Sequence, residues 1–125
     1  MPFLIEKLED RHCCVTVSGD LTAELVIDLI EAVLSDDSYQ QTQGVVVCAD
    51  KDLHLSATIS TLREIETYSK ANDHRFSGSK WAVVTNKKLH FGLARMYQTW
   101  RDDASYQVVA FRSIPDAVLW LSNLE

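Results

Sequence analysis

The sequence predicts an α/β fold: a mixed, mostly parallel five-stranded sheet with helices on its faces, in the order ββαβαβαβα. Three observations carry that reading. Two short β-type runs, Phe3 to Leu8 and His12 to Val17, flank the polar trio Glu9-Asp10-Arg11, as a hairpin requires. Gly44-Val45-Val46-Val47-Cys48-Ala49 is a continuous apolar run, the pattern of a strand covered on both faces. Beyond it, helix-period and strand-type segments alternate to the end of the chain, which calls for parallel strands joined by right-handed crossovers.

The elements follow in order. After the hairpin, Ser18-Gly19-Asp20 reads as a turn with a capping candidate. Leu21, Leu25, Leu29 and Ala32, with Val26, Ile30 and Val33, then give a helix with a wide apolar arc. A polar stretch from Ser35 to Gln43 leads into the central strand. Ala57 to Ala71 reads as the second helix, with Ile59, Leu62, Ile65 and Tyr68 inward and Arg63, Glu66 and Lys70 outward. Turn formers fill Asn72 to Ser79, and Lys80 to Thr85 is a strand. In the next helix, ending at Trp100, a step of about 100° per residue puts Leu89, Leu93, Met96, Tyr97 and Trp100 on one side. Phe91 lands about 200° from Leu89, among Lys87, Lys88, Arg95 and Gln98. Tyr106 to Phe111 is the last strand. Ser113 caps the final helix, with Asp116 three residues on as in a capping box and Pro115 in the first turn.

The chain has 125 residues and 46% hydrophobic content, enough for one domain, residues 1–125, to bury a core without staples. No apolar run suits a signal peptide or a membrane span, so a cytoplasmic protein is expected. Three cysteines, two of them adjacent, do not make a disulfide framework and read as buried reduced thiols. A formal charge of -6 argues against nucleic acid as a partner. Carboxylates gather in the first half, whereas Lys80, Lys87, Lys88, Arg95 and Arg101 gather later.

The order of elements, the segment Phe91-Gly92-Leu93-Ala94-Arg95-Met96 and the closing pattern from Phe111-Arg112 to Trp120-Leu121 resemble the SpoIIAA-like proteins of the STAS superfamily over nearly the whole chain. These are largely uncharacterised small bacterial proteins whose fold is grouped near the Sec14/CRAL-TRIO lipid-binding domain. The resemblance implies a STAS-like fold and a role in binding or regulation rather than catalysis. In the anti-sigma-factor antagonists of that superfamily, an Asp-Ser-Ser-Gly-type motif at the start of the second helix is phosphorylated to switch partner binding. Laid without gaps on this chain, the motif falls on Leu55-Ser56-Ala57-Thr58, with Ala57 at the acceptor and both the acidic residue and the glycine replaced. Ser56 and Thr58 are then shifted acceptor candidates, and equally the residue types that cap a helix there.

Ligands of such sheets favour the crevice beyond the carboxyl ends of the strands. Here that rim would carry Ser18-Gly19-Asp20, Asp50 to Ser56, Thr85-Asn86-Lys87 and Arg112. Asp50, Asp52, His54 and Ser56 alternate, but one alternating loop lacks the convergence a metal needs, so no metal is expected. Cys48 with His54 would be a nucleophile and base only if the strand released the thiol. The chain has four glycines and lacks a phosphate loop, a Gly-x-Ser-x-Gly elbow and a His-Glu-x-x-His motif; no cofactor is expected.

The resulting expectation is a non-enzymatic binding module. An apolar or lipid-like ligand, or an anionic membrane surface, would be met by Lys87, Lys88, Phe91, Arg95 and Trp100, because basic residues around an aromatic suit such an interface. The alternative is a protein-interaction switch controlled at Ser56 or Thr58. Contact with a partner protein, or a homodimer through the basic helix or the wide first one, is compatible with either.

Overall fold

A computed structural model describes residues 3–8, 12–36, 39, 44–50, 53–55, 58–76, 78–102 and 104–122. In chain order its elements are β1 (Phe3–Leu8), β2 (His12–Val17), β3 (Asp20–Leu21), α1 (Ala23–Leu34), β4 (Gly44–Ala49), β5 (His54–Leu55) and α2 (Ile59–Ala71). A 3-10 turn (Asp73–Phe76), β6 (Lys80–Val84), α3 (Lys88–Trp100), β7 (Gln107–Phe111) and α4 (Ile114–Ser122) complete it. The predicted order holds, with β3, β5 and the 3-10 turn added.

The main sheet runs β1-β2-β4-β6-β7. β1 is antiparallel to β2, with Phe3 opposite Val17, and every later pairing is parallel. Strand alternation then sorts the side chains into two faces. On one, Cys13, Val15, Val17, Val45 and Trp81 meet Leu25, Leu29, Ile30, Val33 and Leu34 of α1. On the other, Cys14, Val46, Cys48, Ala82 and Val84 lie under Ala117 and Leu121 of α4, with the tilted rings of Phe111 and Trp120 5.6 Å apart beside them. The adjacent cysteines thus point to opposite faces, and all three are buried thiols outside any disulfide among the described residues. Gly44 sits where β4 passes under α4. A Cβ there would meet Nδ1 of His12 at 3.2 Å, so a larger residue would push the ring aside.

The first helix is capped by Thr22, whose hydroxyl accepts from the Leu25 N–H, and not by the Ser18-Gly19-Asp20 turn. Gly19 takes φ of 83°, and the chain then extends so that Asp20 and Leu21 pair with His54 and Leu55. This two-stranded parallel clip ties the exits of β2 and β4 together beyond the sheet. The second helix starts at Ile59. Thr58 is its N-cap, in a capping box with Thr61, while Ser56 and Ala57 lie outside the described residues. Ile59, expected inward, is 52% exposed because it stands in the first turn, whereas Leu62 and Ile65 a turn later are buried. Ser113 caps α4 through the Asp116 N–H, as expected.

Three polar joints lock the helices. Arg75 donates to both carboxylate oxygens of Glu31 at 2.8 and 2.9 Å, and Tyr68 also donates to Glu31, joining α1, α2 and the 3-10 turn. Arg101, counted with the basic residues in the sequence, is only 4% exposed; it pairs with Asp73 at 3.1 Å and lies over the Tyr106 ring. Gln98 of α3 accepts from the Ala110 N–H, which satisfies a donor on the sheet's outer strand.

Candidate functional site

The two faces of the sheet are packed differently. Val46 and Ala82 are fully buried beneath α4. Their neighbours Val47 and Val83, in the middle of the same strands on the opposite face, retain exposure although three helices cover that face. The cause is a cavity of about 190 Å³. Its floor is Val17, Val47, Val83 and Val108, one residue from each of β2, β4, β6 and β7. Its walls are Val26, Leu29 and Ile30 of α1, Leu62, Ile65 and Ser69 of α2, and His90, Leu93, Ala94 and Tyr97 of α3.

An aromatic cluster closes the amino end of the strands. Phe76 packs on Trp81 at 5.8 Å and on Tyr106 at 4.7 Å, and the Trp81 N–H donates to the Ser79 hydroxyl. Toward the carboxyl end the lining passes to Leu21, Leu53, Ala49 and Thr85, beneath the β3–β5 clip. For scale, an engineered cavity of about 150 Å³ lined by Leu, Ile and Phe stays dry and binds benzene. The lining here is similarly apolar, and its polar groups are few and mostly satisfied. Ser69 and Tyr97 share a hydrogen bond of 2.7 Å, and burial holds the Tyr97 hydroxyl protonated well above its ordinary pKa. Burial, then the nearby Lys87 charge, lowers the His90 pKa, so its imidazole is neutral at pH 7; its Nδ1 is buried with no hydrogen-bond partner among the described residues.

The inward face of α3 is therefore His90, Leu93, Ala94 and Tyr97, rotated from the Leu89, Leu93, Met96, Tyr97 and Trp100 stripe read from the sequence. Leu89 is 66% exposed. Two anchors set the rotation: Gln98 on β7, and the Lys87 ammonium, which donates to the Leu53 carbonyl at 3.4 Å. No residue of α3 is buried, and its N-cap, Lys87, makes no side-chain capping bond. Lys88 and Arg95 are exposed. The Phe91 ring lies between guanidinium groups, Arg112 at 4.2 Å and Arg95 at 5.9 Å, and Arg63 covers the Trp100 ring at 4.7 Å.

A second pocket, of about 230 Å³, lies over the ends of β4, β6 and β7. Its lining includes Cys48, Ala49, Asp50, Thr85, Asn86, Lys87, Arg112 and Ser113, much of the rim expected to take a ligand. Cys48 faces Cys14 with the sulfurs 3.9 Å apart; the hydrogen bond to Cys14, then burial, push the Cys48 thiol up, which makes it a poor nucleophile. His54 instead pairs with Asp20 at 3.6 Å on the surface. Asp52 and Ser56 fall outside the described residues, and among those described no group of three or more His, Cys, Asp or Glu could hold a metal. Likewise no helix among the described residues is long and apolar enough to cross a membrane.

No family model matches the chain, and no curated protein does. A crystal structure of an uncharacterized protein from the DUF3478 family with a SpoIIAA-like fold, from Shewanella loihica PV-4, is similar at a TM-score of 0.55. It is 19% identical, and the match covers 95% of this chain and 91% of that one. The fold of this chain is SpoIIAA-like, as its sequence predicts.

Proposed function

We propose that this chain is a non-enzymatic STAS-like regulatory module that holds a small apolar ligand between its sheet and α3. The cavity carries the reading. Val46 and Ala82 are closed off beneath α4, yet on the other face the helices stand off the floor valines and leave about 190 Å³ of apolar volume. α3 is the wall through which a ligand would enter, because it has no buried residue and its N-cap makes no side-chain capping bond. Among the residues singled out in the sequence, Lys87 stands at the rim, with Lys88 and Arg95 on the outward face that an approaching ligand or anionic surface would meet first. The Thr58 hydroxyl serves as a helix cap, which supplies its structural reason for being there.

Native mass spectrometry of freshly purified protein, followed by organic extraction, tests the proposal. A co-purifying apolar species of a few hundred daltons or less is expected. Apo protein that also shows no thermal shift with short alkanols would refute it.

A further inference from the structure

The two pockets are neighbours. Ala49 and Thr85, at the ends of β4 and β6, line both, and Lys87 lines the second while donating to the carbonyl of Leu53, which lines the first. Their chemistry differs. The first offers almost entirely apolar surface, whereas the second contributes Arg112, Lys87, Asn86 and Ser113 against one carboxylate, Asp50. Arg112 is exposed and, among the described residues, lies on the Phe91 ring and pairs with no carboxylate. A guanidinium held over an aromatic ring by a cation–π contact spends no N–H donor on a carboxylate, and a planar fork of donors matches a carboxylate or phosphate.

We propose, resting on the cavity reading above, that the ligand is a small anionic amphiphile. Its apolar chain fills the cavity and its single carboxylate or phosphate head is held over the strand ends by Arg112, with Lys87 beside it. The cavity sets the length. At about 30 Å³ per water-sized unit, 190 Å³ admits a chain of roughly six carbons, with the rest of a slightly longer chain crossing Thr85 to the head. Phe91 acts as a positioning residue: it orients the guanidinium and does not touch the ligand.

Calorimetric titration of the full chain with octanoate, octyl phosphate, 1-octanol and inorganic phosphate separates the parts. Octanoate or octyl phosphate should bind at least about tenfold more tightly than octanol, and inorganic phosphate alone should bind weakly, since tail and head contacts are both needed. Arg112→Gln should remove that advantage while octanol binding persists. Phe91→Leu should lower octanoate affinity without changing octanol affinity, a split that a merely structural role would not produce. Equal affinity for octanol and octanoate, or an Arg112→Gln variant that keeps the advantage, overturns the head-group assignment and leaves the cavity reading standing. Failure of every chain-bearing probe overturns both.

Discussion

Filling the cavity should stabilise the protein and weaken binding at once. Ala94 projects from α3 into the cavity lining, and Ala94→Leu adds three carbons there. Burying them is worth about 0.8 kcal/mol each, and ordering the leucine side chain returns about 0.5–1 kcal/mol, so a gain of about 1.5 kcal/mol remains. In a chain of 125 residues that corresponds to a rise in melting temperature of roughly 5 °C. The same substitution in a well-packed core would cost about 1–3 kcal/mol through displaced side chains. The sign of the change therefore reports on the cavity directly. Thermal and urea denaturation of the two proteins measure it, and the octanoate titration repeated on the variant should show binding weakened, since the added carbons take up about half of the cavity. A variant destabilised by more than 1 kcal/mol would mean that the helices already sit on the floor valines, and the argument for a ligand there would fail.

Two further outcomes are expected. The Glu31 carboxyl is held at about 2, chiefly by its bonds from Arg75 and then Tyr68, against an ordinary value of 4.5. A depressed folded pKa contributes stability that is present above the unfolded value and lost as pH falls through the folded one. The melting temperature should thus drop between about pH 4.5 and pH 2, and Glu31→Gln should flatten that limb; parallel pH profiles for the two proteins would exclude the linkage. Gly92 lies in the middle of α3 with open space where a Cβ would stand. Gly92→Ala should therefore stabilise by about 0.5–1 kcal/mol, and if α3 is the moving wall, stopped-flow uptake of octanoate should slow; unchanged uptake would place the entrance elsewhere.

The fold was legible in the sequence because its signals are local and repeated. The hairpin, the apolar run of β4 and the Ser113 cap each follow from a few adjacent residues, and they agree with one another. What could not be read was the phase of α3. Its apolar residues cover enough of the circumference to suit two orientations, and the choice between Leu89 and His90 as the inward residue is made by Gln98 on β7 and Lys87 on the Leu53 carbonyl. Neither contact is local in sequence. The aromatic plug is similar: Phe76 stands in a stretch that reads only as turn formers, yet it is 1% exposed because Trp81 of β6 and Tyr106, just before β7, converge on it. Arg112 was placed on the rim from topology alone, while its bond with Phe91 needed the structure.

That last contact changes where function is to be sought. An aromatic on a basic helix face suggests an outward-facing surface. Arg112 accounts for it from within the fold. With the ring engaged at 4.2 Å, Phe91 can orient Arg112 without any rearrangement, which is the use proposed above. The α4 face, closely packed around Val46 and Ala82, supplies the rigidity of the sheet. The α3 face has a glycine in its covering helix and no side-chain cap at that helix's start, the features of the least stable segment of a fold. Gly92→Ala and Ala94→Leu would each be expected to stabilise this side of the molecule, although stabilising substitutions of this kind are common in natural proteins without any functional cause. On the reading proposed above, a wall that must yield to a ligand would keep both positions small.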